Sequence, residues 1–471
     1  MDHLEEKRLA RQTRILADHA TAKSHPTYPG YHLPSPAHFL FDYWGAYIRD
    51  GYYHIFYDVC VSPEDNEHTI YGHARSRDLL HWEYLPMPIA PLDCELRMND
   101  GFICENGQGE PIMLYTSVFE DGSPRVHVAA KGTPDLLHFT RIPEGDPFMT
   151  LENHGGPAFG GGWSDPWVFD FNGKTYMLMS KCVCIDGSGD PLPVYEATDD
   201  SMLHWKYRSN LMDHNGEVVN FFPLDGKWVL IYSPYNSIEY FVGDLDPETL
   251  RFTPQRHEIL SYGYHSQSNP TDRGFYATCV FREENRNVLC GWISGFVDAE
   301  GWNGCMGIPR QLGLNEKLEL LQQPIPETDE LHGQCIYHCA DTTVSGLNVD
   351  LTGNLLDIQL RYSGGDLDLT LMNGFTPAMI LELSRHEFAV NGETYEKIPF
   401  TQEEKSIRIL VDKSFAEIFL DDGRVCATRC FGTLEDMAAL TLRSDSPIRI
   451  HQLDVWEMKK TNISYHPDLQ I

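Results

Sequence analysis

The sequence predicts an all-β protein with a five-bladed β-propeller followed by a C-terminal β-sandwich. Two observations carry this prediction: a strand-and-turn repeat in the first two thirds of the chain, and alternation of apolar and polar residues in the last third. A repeated strand indicates a propeller rather than a helical solenoid. Period-two alternation between tight turns is typical of antiparallel sheets that bury one face.

The repeat is a tight turn followed by an apolar strand rich in aromatic residues. Its copies end at intervals of 53 to 64 residues, which suits one copy per blade. A Leu-His-aromatic motif follows each of the first three copies, so five blades are the simplest count. The five copies span residues 50–57, 109–115, 172–179, 225–232 and 287–292.

The segments on either side of the repeat complete the predicted organisation. Residues 1–24 have the pattern of an amphipathic helix, with Leu4, Leu9, Ile15 and Leu16 on one side. Near the other end, alternating segments joined by turns indicate the sandwich. The predicted parts are an N-terminal segment (1–34), the propeller (35–323), a linker (324–335) and the sandwich (336–471).

Composition restricts the partners of the protein. The 471 residues include 36 basic and 69 acidic side chains, a net charge of −33. Such a surface repels nucleic acid and anionic membranes, whereas a neutral saccharide or oligosaccharide experiences no such repulsion. We therefore expect a small saccharide substrate, no nucleic-acid partner and no membrane partner. The composition does not predict the oligomeric state.

Cysteine usage predicts the compartment. The twelve cysteines form no Cys-x-x-Cys pairs and many lie in strand-like apolar runs, as expected of reduced core thiols. Cys182 and Cys184 would alternate across a strand, so no metal site is expected there. The charged amino terminus lacks the apolar run of a signal peptide. These features predict a cytoplasmic protein.

Three carboxylates occupy equivalent places in the repeat. Asp42, Asp165 and Glu217 each lie where a polar stretch meets an apolar run, roughly 7 to 15 residues before a copy of the repeat strand. The innermost strands of a propeller converge on a central funnel, so acids at matching ends of those strands meet in space. The sequence therefore predicts one site, formed by the first, third and fourth blades.

Paired carboxylates are the machinery of glycoside hydrolysis, in which one protonates the leaving group and the other attacks carbon or activates water. Four apolar residues close behind Glu217 should raise its pKa and favour it as the acid. Asp42 precedes a turn at Gly45, whose N–H groups would hold it ionised as the nucleophile. Asp165 would stabilise positive charge in the transition state.

Motifs outside the three acids point to a family. They are Tyr71-Gly-His-Ala-Arg-Ser-Arg-Asp-Leu-Leu-His-Trp82, Gly274-Phe-Tyr-Ala277, the run 301–312 and the run 408–419. With them the chain resembles glycoside hydrolase family 32, the invertase, levanase and inulinase group, over nearly its whole length. The resemblance implies a five-bladed propeller with a sandwich, a retaining mechanism and no cofactor. It also implies Asp42 as nucleophile, Glu217 as acid/base and Asp165 as transition-state stabiliser.

The neighbours of the acids depart from the family pattern. The family's Asn-Asp-Pro-Asn-Gly is Phe-Asp42-Tyr-Trp-Gly here, its Arg-Asp-Pro is Ser-Asp165-Pro, and its Glu-Cys-Pro-Asp is Glu217-Val-Val-Asn. The hydrolytic acids are kept, while hydrogen-bonding neighbours give way to apolar or stacking groups. The residues expected to bind substrate are Phe41, Trp44, Asp100, Trp163, Ser164, Asn220 and Trp302.

We therefore expect a glycosidase that cleaves a terminal fructofuranoside or related small saccharide by a retaining two-carboxylate mechanism, in an altered pocket. Three alternatives remain open at this stage. One is an inverting pentofuranosidase or xylosidase with Asp42 as general base. The others are a fructosyltransferase, which would share the covalent intermediate, and a non-catalytic carbohydrate-binding propeller.

Overall fold

The computed structural model describes residues 3–62, 65–143, 146–214, 216–264, 274–296, 301–432 and 436–469. The fold is all-β with a propeller-like arrangement of sheets, as the sequence predicts at this level. Within the described residues, no helix combines the length and the apolar character needed to cross a membrane.

The predicted N-terminal helix is present as α1 (His3–Ser24). Of the four apolar residues expected on its inner side, only Ile15 is fully buried. The remaining contact is polar: the Arg8 guanidinium donates to the carbonyl of Met87 at 2.8 Å, and the Gln12 side chain accepts from the Met87 N–H at 3.0 Å. The helix is therefore anchored by hydrogen bonds as well as by apolar packing.

The strands that follow α1 fall into successive groups along the chain. The first are β1 (Leu33–Pro34), β2 (His38–Arg49), β3 (Tyr52–Ser62), β4 (Asp65–Ser76) and β5 (Trp82–Leu85). The second are β6 (Glu95–Glu105), β7 (Pro111–Phe119), β8 (Val126–Gly132) and β9 (Phe139–Ile142). The third are β10 (Ser164–Phe171), β11 (Lys174–Ser180), β12 (Pro193–Ala197) and β13 (Trp205–Asn210).

Two further groups and a short 3-10 helix (Pro326–Leu331) end this half of the molecule. The fourth group is β14 (Glu217–Leu224), β15 (Lys227–Ser233), β16 (Ile238–Leu245) and β17 (Phe252–Ser261). The fifth is β18 (Gly274–Arg282), β19 (Asn287–Ser294), β20 (Trp302–Asn303), β21 (Cys305–Met306), β22 (Arg310–Leu314) and β23 (Leu320–Pro324).

The last third of the chain is also built of strands. In order they are β24 (His332–Asp350), β25 (Leu355–Ser363), β26 (Leu367–Asn373), β27 (Thr376–Leu383), β28 (Phe388–Val390), β29 (Glu393–Tyr395), β30 (Lys405–Asp412), β31 (Phe415–Leu420), β32 (Val425–Cys430), β33 (Ala439–Met458) and β34 (Ile463–Tyr465).

Four sheets repeat one regular pattern, with four antiparallel strands paired in chain order: β2–β5, β6–β9, β10–β13 and β14–β17. Four regular blades are thus seen where five were predicted, because most of the fifth group forms an irregular sheet with β1, while β20 pairs with β2 of the first group. All five predicted repeat strands are confirmed, as β3, β7, β11, β15 and β19. The first strands, β2, β6, β10, β14 and β18, contact one another in a ring.

Three of the turns that open repeat strands share one local cause. The turn pairs Asp50-Gly51, Asn172-Gly173 and Asp225-Gly226 all have positive φ at both residues. Two consecutive positive φ values define the tight hairpin turn that Asx-Gly sequences favour. These turns fix the register between first and second strands, and so fix which residues face each other at the opposite end of each hairpin.

The C-terminal strands pair as one ten-stranded sheet around the long strand β33. The first part of β33, Ala439–Arg443, pairs with β26, whereas residues 449–457 pair with β25. Apolar residues of both parts belong to one buried cluster. The two ends of β33 therefore pair with different groups of strands, and apolar residues of both ends pack into one core.

A buried ionic network joins the N-terminal segment to both halves of the molecule. His32 Nδ1 lies 2.8 Å from Asp412 Oδ2, and its Nε2 lies 2.9 Å from Glu417 Oε1. Arg310 donates to the other oxygen of Glu417 at 2.6 Å. Burial alone would lower the pKa of His32, but its bonds to the two carboxylates raise that pKa to about 9.

Candidate active site

A cavity of about 470 Å³ opens at the ring of first strands. All three predicted acids line it: Asp42 on β2, Asp165 on β10 and Glu217 on β14. Each belongs to the first strand of its sheet, at the end that lies beside the end of the second strand. Residues 52 to 175 positions apart in sequence thus line one cavity, as expected where strands converge.

A β-bulge recurs at this end of the first strands. The pairing register shifts around Asp42, Asp100 and Asp165, and it shifts again directly after Glu217. Asp165 has φ +59°, and Val218 has φ +50°, which is unusual for a β-branched residue. A bulge redirects a side chain and increases local twist. Here the bulges bring the acids to the cavity, where backbone strain is commonly stored.

Lys181 connects two of the acids. Its Nζ lies 2.6 Å from Glu217 Oε2 and 3.8 Å from Asp165 Oδ2. Burial would lower the pKa of this lysine, but the carboxylates of Asp165 and Glu217 outweigh burial and raise it. The ammonium group is therefore a permanent positive charge between them. Asp165 also accepts the N–H of Val218 at 3.3 Å.

The structure shows neither the hydrogen bonds expected to hold Asp42 ionised nor a purely apolar environment around Glu217. No described residue donates a hydrogen bond to the Asp42 carboxyl, and burial, followed by the charge of Glu217, raises the pKa of Asp42. The turn at Gly45 does not hold it ionised. Glu217, although followed by apolar residues, is paired with the Lys181 ammonium. The residues next to each acid in the sequence did not predict its electrostatics, because the charges that act on it come from other strands.

Two more carboxylates line the same cavity. Asp58 accepts the indole N–H of Trp44 at 2.9 Å, and burial, then the charge of Asp42, raises its pKa. Asp100 has one oxygen, Oδ2, that is buried and lacks a hydrogen-bond partner among the described residues. Burial, then the charge of Asp42, raises the pKa of Asp100 as well. The cavity therefore concentrates acidic groups that resist full ionisation.

Aromatic side chains also line the cavity. The rings of Phe39 and Phe41 lie 4.8 Å apart, and both lie close to Trp292 at 6.1 and 6.2 Å. Tyr264 stacks on Tyr276 at 3.8 Å between ring centroids. A cavity lined by both acidic and aromatic side chains suits a sugar ring, which has polar edges and apolar C–H faces.

Five of the seven predicted substrate-binding residues do not line the cavity; only Phe41 and Asp100 do. Trp44 is buried, and it contacts the cavity only through Asp58. Trp163 and Trp302 are packed among other aromatic rings. Ser164 and Asn220 are buried, with the Asn220 amide donating to the Thr278 carbonyl at 2.8 Å.

Sequence reasoning missed Asp58, Lys181 and Tyr235, which line the cavity. A signal for them exists in the repeat. Each follows the last apolar residue of a repeat strand by one to three positions. In an antiparallel pair the end of the second strand lies beside the start of the first. Polar residues just beyond each repeat strand therefore belong to the same site as the acids.

The described residues contain one group of side chains close enough to hold a metal ion: Asp329, His332 and Asp357. None of them lines the cavity. Arg408 already donates to Asp329 at 2.6 Å and to Asp357 at 2.7 Å. This group is best described as an ion-pair network, because a guanidinium occupies the position between the two carboxylates.

Comparisons with known proteins agree with this geometry. The model of the glycosyl hydrolases family 32 N-terminal domain matches residues 32–324, and the family 32 C-terminal model matches residues 377–457. The chain is 25% identical to the sucrose-6-phosphate hydrolase of Escherichia coli, over 95% of this chain and 99% of that protein. It is 23% identical to the fructan 6-exohydrolase of Beta vulgaris, over 94% and 88%.

Solved structures show the same fold. The sucrose-6-phosphate hydrolase of Lactobacillus gasseri superposes with a TM-score of 0.79 at 21% identity, over 95% of this chain and 96% of that one. Fructan 1-exohydrolase IIa of Cichorium intybus gives a TM-score of 0.78 at 19% identity, over 94% and 99%.

A propeller-like fold with acids gathered in its central cavity, together with these matches, defines a glycosidase of the β-fructofuranosidase type. The two family models together cover well over half of the chain. The chain belongs to glycosyl hydrolase family 32.

Proposed function

We propose that this protein hydrolyses a terminal fructofuranoside with retention, using Asp42 as nucleophile, Glu217 as acid/base and Asp165 as transition-state stabiliser. The observation that carries the proposal is the placement of the three acids on one cavity wall, with Lys181 between two of them. The cavity has a volume of about 470 Å³, at the smaller end of the range for small-molecule sites, which favours a short saccharide.

The reaction follows from two displacements at the anomeric carbon. An oxygen of Asp42 attacks that carbon while Glu217 gives its proton to the glycosidic oxygen, so the C–O bond breaks and a fructosyl ester of Asp42 forms. Glu217 then takes a proton from water, whose oxygen attacks the same carbon and releases Asp42. Asp165 accepts hydrogen bonds from sugar hydroxyls and stabilises the positive charge of both transition states.

Lys181 has a defined part in this cycle. Glu217 must carry a proton at the first step, and a protonated carboxyl no longer attracts the ammonium. Because Lys181 also lies 3.8 Å from Asp165, its charge can be shared with that carboxylate while Glu217 is neutral. Lys181 then supplies the cation that the family places on the residue before Asp165, where this chain has Ser164.

Several buried polar atoms favour a polyhydroxylated ligand. Five residues of the cavity wall carry a buried polar atom that lacks a hydrogen-bond partner among the described residues. Such atoms are costly unless a ligand or water pairs with them. A sugar supplies several hydroxyls that both donate and accept. The atoms are Thr69 Oγ1, Arg97 Nε, Asp100 Oδ2, Trp292 Nε1 and Asn303 Oδ1.

We further propose that β18–β23 act as a fifth blade and that the C-terminal strands fold as a sandwich. The ring of first strands β2, β6, β10, β14 and β18 supports the first point. The division of β33 between two groups of strands supports the second. We keep the domain limits 1–34, 35–323, 324–335 and 336–471, although β1 and β34 pair with strands of the propeller-like half.

We propose a cytoplasmic location because the cysteines are reduced. No disulfide joins any of the twelve cysteines, which all lie among the described residues, and most of them are buried. Reduced thiols are typical of proteins kept in a reducing compartment. The net charge of −33 supports a neutral saccharide as partner in preference to nucleic acid or an anionic membrane.

The test is a hydrolysis screen of wild type and Glu217→Ala on sucrose, short inulin and levan oligomers, and aryl arabinofuranosides and xylosides, with products separated by chromatography. Fructose release that disappears in the variant supports the proposal. Activity on a pentoside alone would mean a different sugar, products longer than the substrate would indicate transfer, and inactivity on every substrate would favour a binding protein.

A further inference from the structure

A second cavity, of about 370 Å³, lies where four distant parts of the chain meet. Its walls come from the end of α1, the loop that follows α1, the turn between β30 and β31, and the segment before β34. Three lysines line it: Lys23, Lys413 and Lys460. Two histidines, His19 and His25, also line it, and burial lowers the pKa of His19, so the positive charge of the cavity comes from the lysines.

The charge of this cavity is opposite to that of the protein. The chain has 69 acidic against 36 basic residues, yet the described residues that line the cavity include no aspartate or glutamate. Among the described residues, none forms an ion pair with the ammonium group of Lys23, Lys413 or Lys460. Like charges repel, so the fold gathers these groups at a cost that a bound anion would remove.

We propose that this cavity binds a phosphate group carried by a small anion. Three lysines that line the cavity from separate elements supply the charge, and the hydroxyl of Thr461 and the amide of Asn462 supply donors around it. A phosphate has the matching negative charge and several acceptor oxygens. The proposal does not depend on the glycosidase function, because no residue of this cavity lines the acidic one.

The ligand would connect parts of the molecule that the chain leaves apart. Lys23 ends α1, Lys413 follows β30 and Lys460 follows β33. An anion shared by the three would hold the N-terminal helix against the C-terminal strands. Binding to the folded state alone raises stability by an amount that grows with the logarithm of the ligand concentration once this exceeds Kd.

The experiment measures binding of inorganic phosphate, pyrophosphate and fructose 6-phosphate to the full chain by calorimetry at low ionic strength. The comparison is between wild type, Lys23→Gln/Lys460→Gln and the control Lys206→Gln/Lys317→Gln, which removes the same charge from exposed lysines elsewhere. We expect binding by wild type and by the control, and a loss of affinity of about tenfold or more in the first variant.

Comparing the three anions identifies the kind of molecule that carries the phosphate group. Preference for fructose 6-phosphate would assign a sugar phosphate, and equal binding of phosphate and pyrophosphate would assign the free ion. Hydrolytic activity should be unchanged in both double variants. Absence of binding by wild type, or equal weakening in the control variant, would overturn the proposal.

Discussion

The ammonium group of Lys181 lies 2.6 Å from a carboxylate oxygen of Glu217, in a cavity that also contains Asp42 and Asp165. The pair places a fixed positive charge beside the proposed acid/base. Because the same charge lowers the pKa of Asp42 against the effect of burial and of Glu217, it helps to keep the proposed nucleophile ionised.

Removing this charge should move the pH dependence of the reaction. Lys181→Met deletes the cation that lowers the pKa of Asp42, so that pKa rises and the acid limb of the kcat/KM profile moves to higher pH. Lys181→Arg retains the charge and should leave the limb close to its wild-type position. An acid limb that stays in place in Lys181→Met would mean that Lys181 does not set the ionisation of the nucleophile.

The hydrogen bond from Trp44 to Asp58 should determine substrate affinity. Trp44→Phe keeps an aromatic ring but removes the N–H that holds Asp58, so we expect KM to rise about 10- to 150-fold with a smaller change in kcat, as for the loss of one hydrogen bond to a charged group. Trp82→Phe, which removes an equally buried indole N–H bonded to Leu79, is the control. Equal KM values in the two variants would remove Asp58 from the substrate site.

Combining Trp44→Phe with Asp58→Asn tests whether the two residues act together. If Trp44 acts on the substrate through Asp58, the double variant should be little worse than Asp58→Asn alone. Additive losses in kcat/KM would mean that the two side chains act separately.

Restoring the family's arginine should disturb folding. Ser164 is fully buried and pairs across the hairpin with Ser180, so the guanidinium of Ser164→Arg would be placed in the protein interior. We expect a loss of roughly 3 kcal/mol or more in unfolding free energy, measured by denaturant titration, while Ser164→Ala should cost little. Full stability of the arginine variant would show that position 164 reaches solvent or the cavity.

Stability should fall at alkaline pH because of His32. The pKa of this buried histidine is raised to about 9, above an unfolded value near 6.5, so its contribution is complete below pH 6.5 and is lost as pH rises through 9. The wild type should lose about 3 kcal/mol of unfolding free energy across this window. His81→Gln, at an exposed turn, should show the same loss, and a flat profile in the wild type would contradict the charged state of His32.

The fold was predictable at the level of its repeat. The Asx-Gly turns and aromatic strands located the second strand of every sheet, because both are local signals. The irregular pairing of β18–β23 was not predictable, since β21 is a strand of only two residues and pairs with β1, another two-residue strand from a distant part of the chain.

The sequence predicted the position of the site but not the charges that set the pKa values of its acids. Equivalent positions in the repeat brought Asp42, Asp165 and Glu217 together correctly. Lys181 and Asp58 reach the acids from neighbouring strands, so the residues next to an acid in sequence say little about its pKa. Trp44 was expected at the sugar, but a buried indole bonds to Asp58 instead.

The most direct test of the proposed mechanism is the rate of fructose release from sucrose and 1-kestose by wild type, Asp42→Asn and Glu217→Gln, with Asp50→Asn at an exposed turn as control. Each site variant removes an ionisable group at nearly constant shape, so we predict a loss of at least a thousandfold in kcat, with the circular dichroism spectrum unchanged. The control should keep wild-type activity. Asp42→Asn that retained more than about a tenth of the wild-type rate would contradict the assignment of Asp42 as the nucleophile.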